Sequence, residues 1–541
     1  MKKRTTARNL LILFAAAVFA VSLVSVASLR ADPGKDAYPQ PKWWTGYSTA
    51  IPVVSVPEGY PPLPTHARYI GHLKGSWYEM GIQYGERAGD MMLLVFNGWF
   101  SGIAKKMTWP EIIYRIHKYQ DEVLKWYCPE LLEFAQGMAH GAASYLEESP
   151  YHKQYGITAY EMVLGLNLYF EINTAPPLVS GFPKVVSSKA PDPGSSDASL
   201  AGCSGIALLP KATAKRRLIH ANSRDQSFWP QAYTVMYTLE HHGKIGPSGR
   251  PNLIYKVSTA GEIGGIHVGN DKGFTVGAFA GGNVGVRTNP LYPDYAFGVP
   301  WQLAMAQTGI FSRNLQEGID NLVHGSNYYR KNTGRKIVQE AWGLNYLLSD
   351  PDSACTVEMN PYRYAVRYPG DAGETESAYI VQTNHNVCNY SFDENDVKTN
   401  VPMTQFGNGY DSKKPSGLDG SGTRFWTIMW LAKNDFGRID EHVIMNDFWT
   451  RDFYIDSAGN KIYYVWVEGN ETQPAGLIGP NKGWVPSHTA MRTVANAPGA
   501  RSGQVDAHVA IPSKLKFYWT IGTPPDWVGP WDSWVLEKER R

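Results

Sequence analysis

The chain predicts an α+β layered sandwich, and three observations carry that expectation. After Cys203 the sequence becomes short runs of β-forming residues separated by turns. Upstream, Met91–Leu146 keeps an apolar repeat of helical period. Helical patterns then return at Trp301–Thr308, Gln316–His324 and Arg335–Leu347, in blocks rather than in strict strand-helix alternation. With 541 residues and no internal repeat, one large domain with insertions is the expected organisation.

Taken in order, the chain opens on Lys2, Lys3 and Arg4 before an apolar run from Leu10 to Leu29, with Ser25-Val26-Ala27 as a small-residue cleavage site. Residues 1–31 therefore read as a signal peptide or a membrane anchor, and the protein as exported, periplasmic or secreted. Residues 32–66, rich in Pro, Trp and Tyr, read as an extended surface arm. Arg68–Ser76 reads as a strand and turn. Trp77–Gly85 opens a helix with Ser76 as N-cap and Glu79 three residues on, the spacing of a capping box. Residues 183–200 hold Pro183, Pro191, Pro193, Gly194 and a run of serines, a flexible linker that ends at Gly202-Cys203.

Ser204–Leu209 then reads as an apolar strand and Leu218–Asp225 as its return across a basic turn. Further strands are expected at Tyr233–Leu239, Asn252–Ser258, Gly273–Ala280, Ala365–Tyr368 and Ala378–Thr383. The tryptophans at 519, 527, 531 and 534 read as packing at the C-terminal edge.

Composition narrows the function. The formal charge is +2 and no run of Lys or Arg interleaves with aromatics, so a nucleic-acid surface is not expected. The four cysteines, Cys128, Cys203, Cys355 and Cys388, match no metal-knuckle spacing. In an exported chain Cys355 and Cys388 are the pair to test for a disulfide. His241 and His242 are adjacent, so on a strand they face opposite sides, and with His220 and His385 they find no acidic partner at ligand spacing. Neither Ser204 nor Ser421 lies in a Gly-x-Ser-x-Gly elbow. No metal or cofactor is expected. Cys203 itself has two readings, a buried core cysteine or a nucleophile with Asn222, Arg224 and Asp225 delivered beside it by the hairpin's return.

Several segments, taken together, resemble one family. Gly75–Gly85 resembles the segment before the nucleophile in the isopenicillin-N acyltransferase-like branch of the N-terminal nucleophile cysteine hydrolases. That branch is related to choloylglycine hydrolases, penicillin V acylase and acid ceramidase. Gly202-Cys203-Ser204 resembles the processing junction, Leu344–Glu358 a mid-domain strand pair, Gln382-Thr383-Asn384-His385 the Thr-Asn-His element, and Ser421-Gly422-Thr423-Arg424 the Ser-x-x-Arg helix start.

The resemblance implies a four-layer αββα sandwich made active when the Gly202–Cys203 bond is cut. Residues 32–202 would then form one chain and 203–541 the catalytic one. It implies that the freed α-amine of Cys203 serves as base for its own thiol, with reference pKa values near ~8 and ~8.5. Asp225 would hold that amine, Asn384 and Asn283 would donate to the oxyanion, and Arg424 would supply positive charge. Relatives carry Arg where this chain has Asn222, and Arg224 is the substitute at hand.

The expected activity is hydrolysis or acyl transfer at a non-peptide C–N amide of a small molecule with an apolar or aromatic acyl group, the membrane being met only through an uncleaved N-terminal segment. Two alternatives stand beside it: a lipid-directed hydrolase of ceramidase-like or phospholipase-B-like type, and a secreted binding protein on a decayed hydrolase fold.

Overall fold

The computed structural model describes residues 67–174, 203–227, 233–265, 267–280, 297–341, 343–371, 378–406, 420–448, 502–521 and 531–536, with short strands between 453 and 494. The leader, the extended arm, the linker with Gly202, and Asn283 lie outside the described residues.

β1 (Arg68–Gly75) leads directly into α1 (Trp77–Ile103). The turn between them is the expected capping box: Glu79 N donates to Ser76 Oγ, and Ser76 N donates to Glu79 Oε2 at 2.8 Å. α2 (Trp109–Tyr119), α3 (Pro129–Gly141) and α4 (Ala159–Thr174) follow. α1 and α3 meet glycine to glycine, and a Cβ built on Gly81 would fall 2.8 Å from the Cα of Gly137. Only residues without a side chain allow backbones this close.

The strands come next. They are β2 (Ser204–Leu208), β3 (Ile219–Ser227), β4 (Thr234–His241), β5 (Ile254–Thr259), β6 (His267–Asn270) and β7 (Thr275–Ala280). Helices α5 (Trp301–Phe311) and α6 (Leu315–Val323) precede β8 (Leu344–Ser349), β9 (Ala354–Asn360), β10 (Arg363–Arg367), β11 (Tyr379–Gln382), β12 (Ser391–Phe392) and β13 (Lys398–Thr399). Helix α7 (Gly420–Asn434) and strands β14 (Ser502–Ile511), β15 (Lys516–Ile521) and β16 (Asp532–Val535) complete the set.

Two sheets result. One has ten strands in the order β1-β4-β5-β6-β7-β8-β9-β10-β12-β13, and the other six in the order β11-β2-β3-β14-β15-β16. β1 and β4 run parallel, and the remaining neighbours are antiparallel.

Helices α1, α5 and α6 lie on one face of the ten-stranded sheet, where Phe96, Phe100, Leu166, Val276 and Leu348 share a buried cluster. α7 lies on the six-stranded sheet, with Phe425 and Ile428 on Ile206, Leu208 and Val381. The two sheets meet through Ala207, Phe279, Leu347 and Ile380, and through Tyr255 stacked on Phe517 with ring centroids 4.5 Å apart. Strands covered on both sides need apolar residues at consecutive positions, and every residue of β2, β7, β8 and β9 is buried.

Two sequence expectations change here, and a third holds where it can be seen. The helix expected at Arg335–Leu347 does not form: Leu344 already begins β8, paired to β7 on one side and β9 on the other. Its apolar run fits a doubly covered strand as well as a helix, and pairing on both sides within the sheet selects the strand. All four cysteines are free thiols; Cys355 sits in the core beneath the helices and Cys388 in a separate cluster with Ala365 and Met403. The tryptophans at 519, 531 and 534 are buried, and Trp534 packs on Tyr69 at 5.2 Å, whereas Trp527 lies outside the described residues.

Candidate active site

Cys203 immediately precedes β2, whose register sets Ser204 opposite Ser223 and Gly205 opposite Asn222. Side chains alternate along a strand, so Cys203, Gly205 and Ala207 face the ten-stranded sheet and Ser204 faces α7. Gly205 shows how close that face is: a Cβ there would fall 2.8 Å from Cε1 of Phe279 on β7. Cys203 is 9% exposed and shares a cluster with Ala207, Phe279 and Ile380.

The backbone of Cys203 is held at both ends by side chains distant in sequence. Its nitrogen donates to Asn384 Oδ1 at 2.6 Å, and its carbonyl oxygen accepts from Arg424 Nη1 at 2.5 Å. The same Nη1 donates to Ser204 Oγ at 2.5 Å, and Arg424 Nη2 donates to Asn384 Oδ1 at 2.8 Å.

These contacts settle which way the Asn384 amide points. Arg424 and the Cys203 nitrogen can only donate, so the atom between them is the oxygen, which leaves Nδ2 to donate to Ala280 O at 2.9 Å. Asn384 thus meets Cys203 as an acceptor, where the sequence suggested an oxyanion donor.

Arg424 is 1% exposed, a cation desolvated within the fold and spent on three acceptors. The start of its helix is tied to the turn that carries Asn384. Thr383 Oγ1 lies 3.1 Å from both Oγ and O of Ser421, and His385 Nδ1 lies 2.8 Å from Ser421 Oγ. Burial, with the Arg367 and Arg424 charges nearby, pushes the His385 pKa down to about 3, so the ring is neutral.

Arg224 and Asn222 stand on β3, between the sheets. Arg224 Nη2 pairs with Asp506 at 2.7 Å and donates to Thr259 Oγ1 at 3.1 Å, and Nη1 pairs with Glu262 at 3.1 Å. Burial opposes its charge, yet the two carboxylates outweigh that penalty and hold its pKa above the ordinary value. A pair of anions already claims this cation.

Asn222 is fully buried opposite Gly277, and neither atom of its amide has a hydrogen-bond partner among the described residues. Asp225 lies on β3 opposite Gln504, and its side chain is outside the described residues. The structure therefore brings together Cys203, Asn384 and Arg424, and it turns Arg224 toward Asp506 and Glu262.

Other contributors have no site role assigned by the sequence. Ser204 Oγ and Ala280 O take bonds from the site, and Gln382, Asn345 and Arg367 support the Asn384 turn from behind. Gln382 stood in a recognised motif, but Asn345 and Arg367 are ordinary strand residues whose partners lie 40 and 14 positions away. Only strand pairing reveals them.

A separate cleft of about 870 Å³ is bordered by Glu240, His242, Arg250, Lys272 and Arg313. It lies at the far end of the ten-stranded sheet. β7 ends at Ala280 beside Asn384, whereas this cleft borders the other ends of β4 and β6, near His241 and Asp271. Among the described residues no cluster of three His, Cys, Asp or Glu side chains is arranged to hold a metal ion.

No protein-family model matches the chain, and no curated protein matches it. Solved structures that resemble it include a Caenorhabditis elegans N-acylethanolamine-hydrolyzing acid amidase ortholog, at 11% identity over 62% of this chain and 99% of that one, TM-score 0.30. A conjugated bile acid hydrolase from Clostridium perfringens aligns at 13% identity over 62% and 93%, TM-score 0.32. Penicillin V acylase from Agrobacterium tumefaciens aligns at 14% identity over 60% and 84%, TM-score 0.29.

Proposed function

We propose that the protein is an exported, self-processing cysteine amidohydrolase or acyltransferase, built as a four-layer αββα sandwich, that acts on a non-peptide C–N amide through an acyl-enzyme on Cys203. The observation that carries this reading is the anchorage of Cys203. Its nitrogen sits on Asn384 Oδ1 and its carbonyl oxygen on Arg424, at the start of a buried strand. Any buried backbone N–H and C=O needs a partner; what supports the reading is that both partners here are side chains, an amide and a buried guanidinium, brought from segments about 180 and 220 residues away.

In the processing step the Cys203 thiol adds to the carbonyl carbon of Gly202 and its proton passes to the departing Cys203 nitrogen. The C–N bond breaks, and water hydrolyses the resulting thioester to leave a Gly202 carboxylate and a free amine on Cys203. In turnover that amine accepts the thiol proton and later delivers it to the leaving amine of the substrate. Asn384 Oδ1 accepts a hydrogen from the Cys203 nitrogen and so turns its lone pair toward the sulfur. Arg424 fixes both Asn384 Oδ1 and Cys203 O. The oxyanion donors in this reading are Asn384 Nδ2, after it leaves Ala280 O, and Asn283.

N-terminal sequencing of purified mature protein tests the proposal. Two pieces are expected, the second being residues 203–541 with Cys203 first. Cys203→Ala should remain one chain and hydrolyse nothing. An N-acylethanolamine, a conjugated bile acid and penicillin V serve as first probes, with a glycerophospholipid to detect a lipid esterase. An intact wild-type chain with full activity would overturn the mechanism, activity unchanged in Cys203→Ala would place the chemistry at a different site, and an uncut wild-type chain that hydrolyses none of the probes would leave a binding role.

A further inference from the structure

We propose that Gln382 and Asn345 form a paired amide clamp that sets the direction of Asn384, which makes them positioning residues for the chemistry at Cys203; the inference rests on the function proposed above. Asn384 stands in a turn between two carbonyls, Thr383 O and His385 O. Gln382 Nε2 donates to both, at 3.0 and 2.8 Å. Asn345 Nδ2, from β8, reaches the same two oxygens at 3.5 and 3.0 Å. Both side chains are fully buried.

The Gln382 amide is itself oriented. Arg367 Nη2 donates to Gln382 Oε1 at 3.0 Å and to Val381 O at 2.6 Å. A guanidinium only donates, so the glutamine oxygen must face it, and the NH₂ is left for the turn. Just beyond the turn, buried Glu358 accepts from Val387 N at 2.8 Å and Cys388 N at 3.1 Å. Four strands, β8 to β11, thus supply the side chains that fix one irregular turn.

The geometry is specific to Asn384. The two carbonyls belong to the residues on either side of it, so holding both fixes the backbone that aims its side chain. Displacing that side chain by about 1 Å would break its contact with the Cys203 nitrogen, an error that costs about 100-fold in rate when it falls on reacting groups. Each amide reaches both carbonyls, so either alone retains most of the hold.

The test needs no external substrate, because the cut at Gly202–Cys203 is its own readout. Gln382→Met and Asn345→Leu should each slow cleavage by less than about tenfold, and the pair together by about 100-fold. In an Asn384→Ala background the pair should add nothing, since the clamp acts only through Asn384. A further loss there assigns the two amides a general structural role and overturns the proposal, as does a double variant that cleaves at the wild-type rate.

Amide hydrogen exchange of residues 383–388 is measured on the same samples and reads the clamp in a chain that shows no cleavage. Faster exchange in the double variant is expected, and unchanged exchange overturns the clamp. An uncut wild-type chain with faster exchange in the double variant would instead overturn the function and leave the clamp standing.

Discussion

Asn384 Oδ1 accepts from the Cys203 nitrogen at 2.6 Å and from Arg424 Nη2 at 2.8 Å, so one amide oxygen in the turn after β11 joins the residue just before β2 to α7. Three segments far apart in the chain converge on a single acceptor. Four predictions follow from this arrangement and from the fold around it.

Asn384→Asp keeps an acceptor for both donors but adds a negative charge beside the Cys203 amine. That charge favours the ammonium form, so the free amine emerges only at higher pH. The acid limb of the pH profile for iodoacetamide alkylation of processed Cys203 should move up by about one unit. Asn384→Leu, which lacks the acceptor, should instead lower the rate at every pH.

Arg424→Lys retains the charge but not the planar fork that serves three acceptors. The three acceptors are served from two separate guanidinium nitrogens, a spread that donors radiating from one ammonium nitrogen do not reproduce. A loss of about 2 kcal/mol in urea denaturation is expected, together with slowed cleavage at Gly202–Cys203.

His267 is buried between the sheets, stacked on His508 at 4.8 Å, and neither of its ring nitrogens has a partner among the described residues. Burial, with His508, His220 and Lys256 adding to it, holds its pKa well below 6.5. The folded ring stays neutral while the unfolded one takes up a proton below about pH 6.5, so this site loses stability as pH falls. Between pH 6.5 and 5 that loss is about 2 kcal/mol. Glu340 and Glu358 are pushed up by burial and act in the opposite sense as pH falls. Denaturation of wild type and His267→Phe at pH 7.5 and 5 isolates the histidine, and the variant should lose about 2 kcal/mol less.

Gly81→Ala would add about 1 kcal/mol of stability in a free helix. Here the new Cβ would fall 2.8 Å from Gly137 Cα and from Met138 N, so the helices must part. A lower Tm is the expected result, and a Tm equal to or above wild type would mean that α1 and α3 are not in this contact.

Some features were readable because their signals are local. The capping box at Ser76 and Glu79 joins residues three positions apart, and the apolar runs of β4, β5, β7 and β11 carry their own turns. The apolar run at Leu344 was ambiguous because a doubly covered strand and a buried helix share the same composition. The pairing of Tyr346 with Ala278 and Val357 decides it. In the sequence Cys203, Asn384 and Arg424 are separate landmarks. Nothing in their spacing told that Asn384 would face Cys203 with its oxygen, or that Arg224 would be claimed by Asp506 and Glu262.

The sequence by itself determined the residue types at the site, the mixed strand and helix composition, and the segments that could form each element, because capping, turn chemistry and periodicity act within a few residues. The tertiary structure decided what those residues do. Sheet register places Cys203 on the inner face and Ser204 on the outer. Donor and acceptor valence then orients Asn384 once Arg424, 40 residues further on, reaches its oxygen. Burial turns those contacts into obligations, since a polar group removed from water must find its partner within the fold.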